Sequence, residues 1–81
     1  MNCSVEEIQP NVWRLRLGTV IRVVSFRSDR MTFAPWDVAS ADAHTLWSAS
    51  SLASALRWIQ ARTGYPVEEL FARCLQGVAP N

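Results

Sequence analysis

Lysine is missing altogether: all eight basic residues are arginine, set against seven acidic residues and one histidine, for a formal net charge of +1. That balance argues against a chain held on nucleic acid mainly by its charge, which calls for a strongly basic surface. Arginine is also the cation that interfaces favour, through fork hydrogen bonding and stacking, while lysine is depleted there. A GC-rich coding sequence would produce the same bias and is at least as good an explanation.

Glycine is scarce too, and Gly18, Gly64 and Gly77 stand far apart, so no local backbone cradle for a phosphate can form. Nucleotide-dependent chemistry is excluded on that ground, and no nucleophile elbow is present. The two cysteines, Cys3 and Cys74, lie near opposite ends, without the close spacing of a zinc site. With no basic stretch and apolar run of a secretory signal at the N-terminus, both read as reduced thiols in a cytoplasmic compartment. The longest apolar run, Val20 to Phe26, is broken by Arg22 and Ser25, so nothing here spans a bilayer. No cofactor and no metal is implied.

What is present is a globular composition, 49% hydrophobic and 19% charged over 81 residues, which has room for one core. No repeat and no Gly/Ser linker divides it, so residues 1–81 are read as a single domain. The organisation is strands first, helices second. Ser4 and Glu7 have the spacing of a capping box, but Pro10 limits any helix there to one turn. Trp13, Arg14, Leu15, Arg16 and Leu17 alternate apolar and charged, the period of a strand that turns Trp13, Leu15 and Leu17 inward. Gly18 and Thr19 offer a tight reversal, and Thr19 to Phe26 is a β-branched run apolar on both faces. Ile21 and Val23 are assigned to the core face, leaving Val20, Val24 and Phe26 on the opposite face with Arg22.

Ser28 and Asp29 predict a turn, Met31 to Phe33 a further extended piece, and Pro35 with Trp36 a sheet edge. A third hairpin is expected from Trp36 to Ser40 and Thr45 to Ser48, turning at Asp42. One helix follows over 51–63, with Ser48, Ser50 or Ser51 as its cap, a stripe of Leu52, Ala55, Leu56 and Ile59, and Gly64 at its end. A second runs over 66–76, with Pro66 first, Glu68 and Glu69 in the first turn, Arg73 in the last, and Gly77 as its stop. The fold class is therefore α+β: a small antiparallel sheet of three to five strands, built of hairpins, then two C-terminal helices, the first packed on one sheet face.

The residues of chemical interest are few. His44 is the sole imidazole, so any general-base or His-ligated metal chemistry must pass through it, with Asp42 and Asp37 nearby in sequence. A lone histidine beside a turn is far more often a solvated surface residue. The acid pairs Glu6, Glu7 and Glu68, Glu69 suggest carboxylate chemistry only superficially, because helix-start electrostatics explain them more simply. No catalytic residue is assigned, and the chain is read as non-enzymatic.

Four tryptophans are many for this length. Trp13 and Trp47 read as core anchors, whereas Trp36 follows a proline at a sheet edge and Trp58 flanks its helix stripe. Trp, Tyr and Arg dominate binding hot spots, which makes Trp36, Trp58 and Tyr65 the first candidates for a contact surface. The plainer alternative is that all four tryptophans fill an irregular core. A second candidate surface is the outer sheet face, with Arg14, Arg16 and Arg22 set among Val20, Val24 and Phe26 to meet carboxylates or phosphates. A self-complementary version of it would give a homodimer.

Three functions of different class are consistent with these features. The leading one is a small protein-binding module that inhibits or regulates a larger protein complex by occupying its surface. Phage or mobile-element inhibitors of bacterial defence, anti-CRISPR proteins among them, are of this size and style, and no motif identifies one. The alternative is a nucleic-acid-binding sheet face, with Arg14, Arg16, Arg22, Arg27 and Arg30 on phosphates and Trp13, Phe26 or Phe33 stacking on bases. The third is a small enzyme or metal protein centred on His44.

Overall fold

The structure, a computed structural model, describes residues 3–27 and 33–78. Five strands, β1 (Cys3–Gln9), β2 (Val12–Leu17), β3 (Val20–Phe26), β4 (Trp36–Ser40) and β5 (Thr45–Ala49), precede two helices, α1 (Leu52–Thr63) and α2 (Val67–Val78). The strands form one antiparallel sheet in the order β1-β2-β3-β4-β5, a meander in which every neighbour in sequence is a neighbour in space. Such pairing needs only short connections between β1 and β2, β2 and β3, and β4 and β5, with a longer one, residues 27–35, between β3 and β4.

The first strand corrects the sequence reading, which allowed only a helical turn ahead of the sheet. One turn cannot repay the cost of nucleating a helix. As a strand the same residues form a ladder, in which Ser4 stands opposite Arg16, Val5 opposite Leu15 and Glu6 opposite Arg14. The chain reverses at Pro10 and Asn11, and Asn11 takes a positive φ of 63°, which asparagine tolerates better than most residues. The next reversal uses Gly18 at φ +66°, where an added Cβ would also lie 2.5 Å from the Tyr65 hydroxyl. The positive φ favours glycine there, and a larger residue would also have to displace the Tyr65 hydroxyl.

The Gly18–Thr19 turn places Leu17 opposite Val20, Leu15 opposite Arg22 and Trp13 opposite Val24. Directly opposed residues share a face, so Val20, Arg22, Val24 and Phe26 lie on the side of the buried Leu15 and Leu17. The expected facing of β3 is therefore inverted. Val24 is fully buried, and Ile21 and Val23 lie on the other face with Arg14 and Arg16.

Both helices pack on the Leu15 side. Ala55, Leu56 and Ile59 of α1 and Val67 and Phe71 of α2 join Trp13, Leu15, Leu17, Val24, Val38 and Ala49 in one core. Four aromatic rings run through it: Phe71 meets Trp13 edge-on at 5.1 Å, Trp13 stacks on Trp36 at 6.0 Å, and Trp36 tilts against Phe26 at 5.1 Å. These are the offset and edge-to-face geometries that ring quadrupoles favour.

Helix α1 starts and stops as its sequence predicts. The Ser54 amide donates to the Ser51 hydroxyl at 3.1 Å, and Gly64 adopts φ 79° with its amide on the Gln60 carbonyl. Helix α2 begins after Pro66, whose carbonyl accepts from the Leu70 amide, but it continues through Gly77 to Val78. Arg73 accordingly sits inside the helix rather than in its last turn, paired with Glu69 at 2.7 Å. The Gln60 side chain of α1 accepts from the Glu68 amide, and Arg57 approaches Glu68 at 3.5 Å, which ties the two helices together. The expected turn at Ser28 and Asp29 and the extended piece from Met31 fall at residues 28–32, outside the described residues, as does Arg30.

Candidate functional site

The residues proposed for a contact surface do not form one. Trp36 is half-buried within the ring ladder beneath the helices, stacked on Trp13 and Phe26. Tyr65 packs against the core near the Gly18 turn. Arg22 lies on the helix-side face near the end of the sheet, where its Nη1 donates to the carbonyl of Ile21 at 2.8 Å. Arg14 and Arg16 are on the opposite face. These placements, with Trp58 at the rim of β5 and α1, separate the six residues into five locations.

Trp58 does find a partner on the surface. Its ring stacks on Trp47 with centroids 5.4 Å apart and planes within 6°, and the Arg62 guanidinium lies 4.9 Å from the Trp58 centroid. Trp47, read from sequence as a core anchor, is 39% exposed, and its neighbour Leu46 is 42% exposed. The cause is positional. Strand β5 is an edge strand, and α1 covers the inner part of it, where Ala49 is buried, more completely than its start. The pairing with β4 slips between Val38 and Ala39, which leaves Leu46 as the extra residue of a bulge. The stacked pair and its arginine thus lie at one rim of the molecule, with the exposed Leu46 next to Trp47 along the chain.

The sheet face away from the helices has a different character. Across its middle run Glu6, Arg14, Val23 and Ala39; on one side lie Ser4, Arg16 and Ile21, and on the other Val12, Ser25, Asp37 and Ser48. No described helix lies on it. Asp37 is nevertheless only 3% exposed. Its carboxylate accepts from the Ser48 hydroxyl at 2.7 Å and from Arg27 at 3.3 Å, the partners that a buried charge requires. Beside it opens a hollow of about 370 Å³, lined in part by Val12, Val23, Ser25, Ala39 and Thr45. Arg14 approaches Glu6 at 3.6 Å, too far for a hydrogen bond, and its buried Nε has no hydrogen-bond partner.

His44 is brought to Asp42, as their spacing suggested, with Nδ1 3.1 Å from Oδ2. Ser40, which sequence reasoning passed over, donates its hydroxyl to the other oxygen of the same carboxylate and accepts from the His44 amide at 3.3 Å. A nucleophilic triad needs the imidazole between hydroxyl and carboxylate; here the carboxylate stands between the other two. Asp42 and His44 are also largely exposed. The cluster closes the β4–β5 turn, in which Ala43 takes a positive φ of 69°. The Ser40 hydroxyl and then the His44 ring hold the Asp42 carboxyl below its usual range.

Among the described residues, no group of three His, Cys, Asp or Glu side chains could hold a metal ion, and no helix is long and apolar enough to cross a membrane. Both cysteines are free, and the Cys74 thiol donates to the Val5 carbonyl at 3.2 Å. No protein-family model matches the chain, no curated protein matches its sequence, and no solved structure matches its fold.

Proposed function

We propose that the chain is a small, non-enzymatic protein-binding module that acts by occupying a surface on a larger protein or complex. The observation that carries this reading is the stacked pair of the exposed Trp47 and the half-buried Trp58 at the rim of β5 and α1, with Arg62 against Trp58 and the exposed Leu46 next to Trp47. Tryptophan and arginine are the residues on which interfaces concentrate their energy, and a parallel ring pair presents a large apolar area already fixed in one conformation. Inhibition of a bacterial defence complex by a phage-borne chain is one form such occupancy takes, and its only support is size and style.

The nucleic-acid reading draws less support from the same geometry. Of its stacking residues, Trp13 is buried beneath the helices and Phe26 lies on the helix side of β3, while Phe33 is 97% exposed but stands outside the strands. Arg22 faces away from Arg14 and Arg16, and Arg27 is engaged with Asp37. The reading centred on His44 has Asp42 between the hydroxyl and the ring, in a turn open to water.

The test is affinity isolation from nuclease-treated bacterial lysate with tagged wild-type protein beside a Leu46→Glu, Trp47→Ser variant, both checked for folding by circular dichroism. A defined protein complex that is captured by the wild type and lost in the folded variant is the expected result. Equal capture by both proteins, or recovery of nucleic acid alone from untreated lysate, overturns it.

A further inference from the structure

We infer that the open sheet face binds an extended acidic segment of a polypeptide, with carboxylates on Arg14 and Arg16 and an apolar side chain in the adjoining hollow. This surface is distinct from the tryptophan pair, on the opposite side of the sheet from the helices, and the inference does not depend on that pair.

Three observations carry it. The first is charge. Arg14 and Arg16 project from the same face of β2, and the strand beside them offers one acid, Glu6, which comes no closer to Arg14 than 3.6 Å. Arg16 is exposed and has no acid within ion-pair range among the described residues, while the Arg14 Nε is buried without a hydrogen-bond acceptor. The Arg14 side chain is still 39% exposed, so its guanidinium, like that of Arg16, can receive a carboxylate from outside through a charge-assisted bond.

The second is spacing. Arg14 and Arg16 are two residues apart on a strand, which sets them about 6.8 Å from one another. Carboxylates at alternate positions of an extended partner segment repeat at the same distance. The third is the apolar ground beside the charges. Val23 is the direct cross-strand neighbour of Arg14 and Ala39 the next one along, and both line the hollow of about 370 Å³. A side chain that enters there lies within about two strand spacings, some 10 Å, of the Arg14 backbone. The face also offers no row of rings on which successive bases could stack: of the aromatic residues in the strands, Trp13, Trp36 and Trp47 belong to the helix side, and Phe26 alone reaches the hollow.

The probe is a fluorescein-labelled peptide with a central Glu-Leu-Glu-Leu-Glu, compared by fluorescence polarisation at low ionic strength with its Lys-for-Glu counterpart and with a labelled oligothymidylate. Wild type is expected to bind the acidic peptide alone. Arg16→Glu, at an exposed position, should weaken binding roughly tenfold or more, as the loss of one charge-assisted bond predicts. Ala39→Leu, which fills the hollow and leaves the charges in place, should weaken it severalfold. Circular dichroism confirms that each variant is folded. Failure of the wild type to bind the acidic peptide, undiminished binding by Arg16→Glu, or preference for the oligothymidylate overturns the inference. Each can occur whether or not the Trp47 rim captures a partner, so the two proposals stand or fall separately.

Discussion

The two faces of the sheet are built from the same strands and solve opposite problems. On the helix side, alternate residues of β2, β3 and β4 supply Trp13, Leu15, Leu17, Val24 and Val38, all buried beneath α1 and α2. On the other side the intervening residues supply Arg14, Arg16, Ile21, Val23 and Asp37, with no described helix over them. The first face is a finished core in which each ring meets another ring. The second has an arginine whose Nε lacks an acceptor, a hollow walled by valine and alanine as well as by polar side chains, and a carboxylate in that wall already engaged. Both described helices pack on the same side of the five-stranded sheet, so the apolar core is concentrated on that side.

The comparison can be broken most directly at Leu15, which is fully buried at the centre of the covered face. Leu15→Ala removes packed methyl groups from a core with little room to collapse, and the expected loss is about 2–5 kcal/mol in urea-monitored unfolding. For a chain of this size that consumes much of the total stability. A loss below about 1 kcal/mol would mean that the covered face is not the core.

Asp37 tests whether the open face has any structural role of its own. Asp37→Asn keeps the shape but removes the charge that draws the Ser48 hydroxyl and Arg27 together. The expected loss is about 1–3 kcal/mol, that of a buried charge-assisted bond. An unchanged urea midpoint would show that this face can be altered at will. Ile21→Thr, by contrast, changes an apolar residue that no helix covers, and β-branching is retained. Its expected effect is within about 0.5 kcal/mol, the usual range of a surface substitution, so the contrast with Leu15 sharpens the comparison directly.

Why the two faces could not be told apart from sequence comes down to β3. Strand β2 alternates apolar with charged residues and declares its inward face, but β3 is apolar at almost every position and declares none. Reading Arg22 as outward then carried Val20 and Val24 outward with it. The decisive information was the turn: a two-residue reversal at Gly18 and Thr19 forces Val20 opposite Leu17 and hence onto the core side. Arg22 is tolerated there because it is only half-buried, opposite Ser40 where β4 ends, and its guanidinium turns onto the Ile21 carbonyl. The helices were legible because cap and stop residues bracket their stripes, Ser51 and Gly64 around α1 and Pro66 before α2. Strand β1 was hidden by the competing Ser4 and Glu7 spacing, and its identity depends on Arg14 and Arg16 across the ladder. Among site residues, Trp58 was singled out by its offset from the α1 stripe. Trp47 was not, since nothing in its own segment says that β5 would be an edge.

The smallest expected effect belongs to the turn that joins β4 to β5, which lies outside the core and contributes only Ser40, Ala41 and Ala43 to the wall of the hollow. Hydrogen bonds from Ser40 and then His44 lower the Asp42 carboxyl from its ordinary value of 3.8. A carboxyl whose folded value lies below its unfolded one contributes stability that is fully present above the unfolded value and fades as the pH falls through the folded one. Wild type should therefore exceed Asp42→Asn in urea midpoint at pH 5 to 6, by a small margin because the group is open to solvent. As the pH falls below about 4 the margin should close. A margin that stays constant into acid would mean that the Asn variant loses turn geometry rather than charge, and the cluster of Ser40, Asp42 and His44 would then owe its stability to backbone shape alone.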